Sequence, residues 1–146
     1  MKRLLLLLVL ILPAAFAQSG PVLYQQCQGC HQPNGAGIPG VFPPLAGHVP
    51  DILAAKGGRP WLIQVLLWGM SGEIVVKGVK YNGVMPSYRQ LGDAEIAALL
   101  NHISTQWGNK FPAGQKPFTP AEVRAQRAKT LTPAQVNSAR KALGLK

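Results

Sequence analysis

Cysteine, histidine and acidic side chains are all scarce in this chain: its 146 residues include two Cys, three His and five Asp or Glu. A structural zinc site needs more Cys or His ligands grouped together than are available, since His48 and His102 stand isolated. No β-α-β pattern surrounds the cysteines, so a thioredoxin-like dithiol lacks its setting. No nucleophile-base pair or second cofactor motif appears either, and the chain does not read as an enzyme. Long apolar runs are missing too. The one candidate, Leu4 to Leu12, is about half the roughly 20 residues that a membrane-spanning helix needs.

That short run has another meaning. It follows Met1, Lys2 and Arg3 and precedes Pro13 and an Ala15-x-Ala17 cleavage site, which together form a secretory signal. Residues 1–17 are therefore expected to be removed and the protein to be periplasmic or otherwise extracytoplasmic. No cysteine follows the cleavage site, so no lipid anchor is indicated. The mature remainder suits one modest domain, with residues 18–110 as its body and 111–146 as a basic extension packed on it. In an oxidising compartment a lone cysteine pair would ordinarily be a disulfide.

The shortage of acid leaves a formal net charge of +10, or +8 once Lys2 and Arg3 depart. Seven Lys or Arg against Glu122 alone lie between Phe111 and Lys146. A basic tail on an exported protein points to an acidic protein partner or peripheral contact with an anionic membrane surface, and not to nucleic acid.

What is present around the cysteines decides their chemistry. Cys27-Gln28-Gly29-Cys30-His31 is a C-x-x-C-H sequence near the start of the mature chain. At the end of a helix, residues three apart share a face, so both sulfurs can reach the two vinyl groups on one porphyrin edge. His31 then falls under the iron as its proximal ligand. The expected cofactor is one covalent haem c.

Met70, Met85, His48 and His102 are the candidates for the other axial position. Met70 follows the apolar helical run Trp61–Gly69 and reads as core packing at that helix's end. Met85 lies in Tyr81-Asn82-Gly83-Val84-Met85-Pro86, which reads as a turn-rich loop stiffened by Pro86 and the Asn-Gly pair. Met85 is the expected ligand, giving six-coordinate iron of raised potential.

Along the chain, Gly20–Cys30 reads as a first helix and Gly35–Gly47, with four Gly and three Pro, as an extended loop. Arg59–Gly69 reads as a buried helix with Pro at its start and Gly at its end. Ile74–Val76 and Val79–Tyr81 form a small hairpin about Lys77-Gly78. Ile96, Leu99, Leu100, Ile103 and Trp107 mark an amphipathic helix over Asp93–Trp107. Thr119-Pro-Ala-Glu-Val and Thr132-Pro-Ala-Gln-Val repeat one helix-start signal, a Thr cap with Glu or Gln three residues on, and predict two short helices. Helices so short are marginal alone and are expected to pack on the domain.

With these motifs in this order, the segment from about Gly20 to Trp107 resembles the class I cytochromes c, a mostly α-helical fold around one covalent haem. The stretches Cys27–Gly47 and Val79–Met85, with the hairpin and basic extension, are similar to the small soluble cytochromes c of Thermus-type thermophiles. The resemblance implies thioethers at Cys27 and Cys30, proximal ligation by His31 and distal ligation by Met85. It further implies that the Pro43 carbonyl accepts the proximal imidazole N–H and that Leu45 packs on the haem. Gly20 and Tyr24 match the crossing of the first and last helices, where His102 reads as a packing residue. Trp61 reads equally as a propionate donor or as core.

The function so implied is electron carriage in a respiratory chain by a monomer, from a quinol-oxidising complex to a haem-copper terminal oxidase. An electron-relay subunit of a periplasmic dehydrogenase and a gas-binding sensor cytochrome are the alternatives.

Overall fold

The computed structural model describes residues 18–145, and the expected signal segment lies outside them. The chain opens with α1 (Gly20–Tyr24) and α2 (Gln28–His31). The one helix expected over Gly20–Cys30 is interrupted at Gln25–Cys27, where the backbone N–H groups bond to carbonyls three residues back. This tighter winding brings Leu23, Tyr24 and Cys27 to the inner side together.

The Gly- and Pro-rich segment that follows is irregular as expected, with one isolated bridge between Ile38 and Phe42. Its far end is tied down by Asn109, a buried side chain whose Oδ1 accepts from Gly47 N at 2.7 Å and whose Nδ2 donates to Leu45 O and Ile103 O at 3.1 and 2.8 Å. A short α3 (Val49–Ala54), unanticipated, follows with Pro50 and Asp51 in its first turn. Then α4 (Gly58–Trp68) runs through the centre with Trp61, Leu62, Ile63, Val65, Leu66 and Leu67 all buried.

The hairpin consists of β1 (Met70–Val76) and β2 (Val79–Met85), antiparallel, with Met70 opposite Met85. Lys77 and Gly78 make the turn, both at positive φ, as a two-residue connection demands. Each strand is longer than the sequence suggests, and Asn82-Gly83 is not a turn but pairs with Glu73 and Gly72 inside the ladder. Where the ladder already satisfies the backbone, an Asn-Gly pair has no turn to make. Met70, just past the end of α4, starts a strand.

Next comes α5 (Asp93–Ile103), whose first turn is capped by the Glu95 carboxylate accepting from Gly92 N at 2.8 Å. It stops short of Trp107, which takes a left-handed φ of 55°. Crossing it, α1 comes so close at Gly20 that an added Cβ would lie 2.6 Å from both Ala98 O and His102 Cβ. Tyr24 and His102 pack there with ring centroids 5.5 Å apart, the packing role expected of His102.

The two predicted tail helices are α6 (Pro120–Arg127) and α7 (Pro133–Ala142), each opened by its Thr and the Glu or Gln three residues on. Both pack on the body: α6 on α4 and α5, α7 on α4 and β1. Val123 and Val136 are fully buried by this docking. Trp61 is spent on the same seam, its Nε1 donating to Val136 O at 2.9 Å, so the core reading of Trp61 holds over the propionate one.

Arg59 clamps α6. Its Nε and Nη2 donate to the two Glu122 carboxylate oxygens at 2.6 and 3.0 Å while the guanidinium lies 4.0 Å over the Phe118 ring. The Arg59 guanidinium beside Glu122 holds its carboxyl at about 2, below the usual 4.5. A depressed carboxyl pKa adds stability above the unfolded value, and that stability is lost as pH falls from about 4.5 through about 2. Glu122→Gln is therefore expected to lower Tm near neutral pH and to flatten the Tm curve over that acidic interval, as calorimetry at a series of pH values will read.

Candidate functional site

Two adjoining hollows meet at Cys27, His31, Pro43, Met70, Ile74 and Met85. The outer one opens beside Val41, Val84, Pro86 and Tyr88. The inner one runs between α4 and α5, past Val65, Leu66, Leu99 and Leu100, and ends at His48 and Arg140. All six residues singled out in the sequence, Cys27, Cys30, His31, Pro43, Leu45 and Met85, line this compartment.

His31, the last residue of α2, is 9% exposed, and its Nδ1 lies 2.9 Å from Pro43 O. A carbonyl only accepts, so Nδ1 carries the hydrogen and Nε2 keeps its lone pair. Burial lowers the His31 pKa, with the Pro43 bond opposing, and so favours a neutral ring with a donor nitrogen. The loop delivers Pro43 through the Ile38–Phe42 bridge and the bonds from Leu45 N and Ala46 N to Gly35 O.

No disulfide joins Cys27, which is buried, to Cys30, which is half-buried. Burial, with Cys30 adding to it, pushes the Cys27 thiol up to about 11. A catalytic or redox-exchange cysteine needs the opposite shift from the one at Cys27.

Met85 ends β2, and the segment after it is fastened to the end of α4. Ser87 Oγ donates to Leu67 O at 2.6 Å and Tyr88 N to Leu66 O at 2.7 Å, filling carbonyls that a helix end leaves open. Gly69, at φ 72°, permits the close crossing, because a Cβ there would meet Met85 O at 2.5 Å. Cross-strand partners share a sheet face, which explains why Met70 reaches the same compartment as Met85. Sequence reasoning weighed Met70 as a candidate ligand but missed the strand that brings it here, and it missed Arg140 as well. Gly72 and Gly83, also cross-strand partners, line the outer hollow without filling it.

The donor set suits an iron porphyrin: two thiols three residues apart, an imidazole with a free Nε2 and a thioether, set among apolar walls that match a flat macrocycle. The comparisons with known proteins agree. The family model described as cytochrome c matches residues 17–107. The chain is 61% identical to a cytochrome c-552 of Thermus thermophilus, over the whole of both chains. It is 64% identical to another Thermus thermophilus cytochrome c-552, over 87% of this chain and 98% of that one. It is also 34% identical to the cytochrome c subunit of a quinone alcohol dehydrogenase from Gluconacetobacter polyoxogenes, over 60% of this chain but 18% of that one. The chain belongs to the cytochrome c family, whose members are electron-transfer proteins, not enzymes, and carry haem c covalently.

Proposed function

We propose that this protein is an exported, monomeric single-haem carrier, taking electrons from a quinol-oxidising complex and giving them to a haem-copper terminal oxidase. The observation that carries the reading is one compartment lined by Cys27, Cys30, a His31 ring fixed by Pro43, and a Met85 held to the end of α4. The haem, when bound, supplies a one-electron redox centre. Cys27 and Cys30 would anchor it by thioethers, and His31 Nε2 and the Met85 sulfur would hold its iron. Two permanent protein ligands would leave no open site for a substrate and keep rearrangement between oxidation states small. The apolar walls exclude water, and Leu45 would pack against the macrocycle.

The rim supports the partner side of the reading. Val41 and Val84 are 51% and 72% exposed at the outer opening, an apolar surface on which a redox partner can approach a porphyrin edge. The basic surplus steers an acidic partner and raises the encounter rate more than the affinity. Among the described residues no helix is long and apolar enough to cross a membrane. Residues 18–110 act as the haem domain and 111–146 as its docked extension, after removal of 1–17 on export.

The dehydrogenase-subunit relative favours a second reading, a dedicated relay within a periplasmic dehydrogenase, for which copurification with that enzyme is the sign. The deciding test is the optical spectrum of the exported protein, oxidised and reduced, with carbon monoxide added to the reduced sample. A low-spin spectrum indifferent to the gas is expected. A gas-sensitive spectrum would transfer the function to ligand sensing.

A further inference from the structure

The charge of this molecule is segregated from the outer opening. From Gln18 to Ala55 the one Asp, Glu, Lys or Arg is Asp51, and no side chain of these four types lines the outer hollow. The positive surplus collects on the extension instead. Its single acid, Glu122, is taken up by Arg59 of α4, to which both carboxylate oxygens are bonded. Arg124 and Arg127 share Asp93 of α5 at 3.3 and 2.8 Å, two cations against one acid. Among the described residues Lys116, Lys129 and Lys141 take part in no ion pair, and all three are exposed.

Helical spacing turns these cations outward. On α6 the exposed residues Ala121, Arg124 and Ala125 fall on one face, away from the buried Val123. On α7 Ala134, Ser138 and Lys141 do the same, away from the buried Val136. Both helices pack on α4, Lys129 stands in the connection between them, and Arg59 of α4 holds the Lys116 carbonyl at 2.9 Å. The result is an outer layer in which long cationic side chains stand above short ones. Such a layer suits an extended anionic surface, because each cation can reach a headgroup without any fixed pattern of partners. An acidic protein is the other anionic candidate, but electrons must pass at the outer opening, whose lining offers such a protein no cation. Steering at a distance uses the net charge and needs no cation in the contact. We propose that the outer layer of α6 and α7, with Lys116, Lys129 and Lys141, docks this protein on an anionic membrane surface through phospholipid headgroups. The choice of lipid over protein rests on the electron-carrier reading above. The contact is between exposed charges, so salt reverses it.

The test is co-sedimentation of the exported, haem-loaded protein with vesicles of equimolar phosphatidylglycerol and phosphatidylcholine, and with phosphatidylcholine alone, at low and at high ionic strength. Wild type is expected to bind the anionic vesicles only and to be released by salt. A Lys near such a surface is worth about fivefold in partitioning, so the combined Lys116→Gln, Lys129→Gln and Lys141→Gln variant is expected to bind about a hundredfold more weakly. The control loses the same charge elsewhere, through Lys77→Gln, Lys80→Gln and Arg89→Gln on the hairpin and the segment after it, and is expected within about threefold of wild type. All six side chains are exposed, so both variants are expected to keep the wild-type Tm. No binding of wild type to the anionic vesicles, equal binding to the neutral ones, or an equal loss in the control would overturn the proposal. The haem spectrum is read on the same samples, which separates failure of the electron-carrier reading from failure of the docking.

Discussion

Met85→Ala is expected to remove the long-wavelength sulfur-to-iron absorption band of the oxidised protein, to make the reduced protein bind carbon monoxide, and to lower its potential steeply. Axial-ligand identity is among the strongest controls on haem potential, and a thioether favours the ferrous state relative to nitrogen or oxygen ligands. A drop of about a hundredfold in the reduction equilibrium, about 120 mV for one electron, is a reasonable size. The competitor is Met70, cross-strand to Met85 and lining the same compartment. Met70 is 8% exposed in the wall, whereas the segment after Met85 is pinned to the end of α4 through Ser87 and Tyr88. Met70→Ala is accordingly expected to keep the band and the potential while costing about 2–5 kcal/mol of stability, the usual range for truncating a buried Met. Exchange of these two phenotypes in optical and redox titrations would move the ligand assignment to Met70.

The parts of the site that could be read in the sequence are those whose chemistry constrains local spacing. Cys27, Cys30 and His31 must be neighbours to serve one porphyrin edge, so five consecutive residues announced them. The tail helices were equally plain, because each capping box is closed within four residues by Thr119 and Glu122 or by Thr132 and Gln135. What stayed hidden depends on partners far along the chain. Arg140 lies 92 positions from His48, and nothing in its own surroundings marks it as other than one more basic tail residue. Met70 was rightly read as core packing, but the strand that begins with it was missed, because the switch from helix to strand is made within one residue, at Gly69 with φ 72°. Asn82-Gly83 carried a genuine turn signal, overridden once Lys77-Gly78 had made the turn and the ladder extended to Met85.

Removing residues 118–146 is expected to lower the thermal stability of the haem protein far more than loss of an accessory tail would. The truncation takes Phe118, Val123 and Val136 out of the core, each 3% exposed or less. At roughly 1.5–3 kcal/mol for each buried side chain of this size, they account for roughly 5–9 kcal/mol of gross burial. The ordering entropy of the lost segment offsets part of that. What remains is worse placed, however: α4 keeps its apolar flank without a cover, Trp61 Nε1 loses its acceptor at Val136 O, and Arg59 loses Glu122. A net loss of about 5 kcal/mol is a large share of the roughly 5–15 kcal/mol that ordinarily holds a domain, and corresponds to roughly 20 °C in Tm. Val136→Asp in the full chain makes the same point with one buried charge in the seam, and is expected to destabilise in the same direction. Calorimetry of the haem-loaded proteins will read both. A truncated protein that kept its Tm would mark residues 118–146 as a separate appendage.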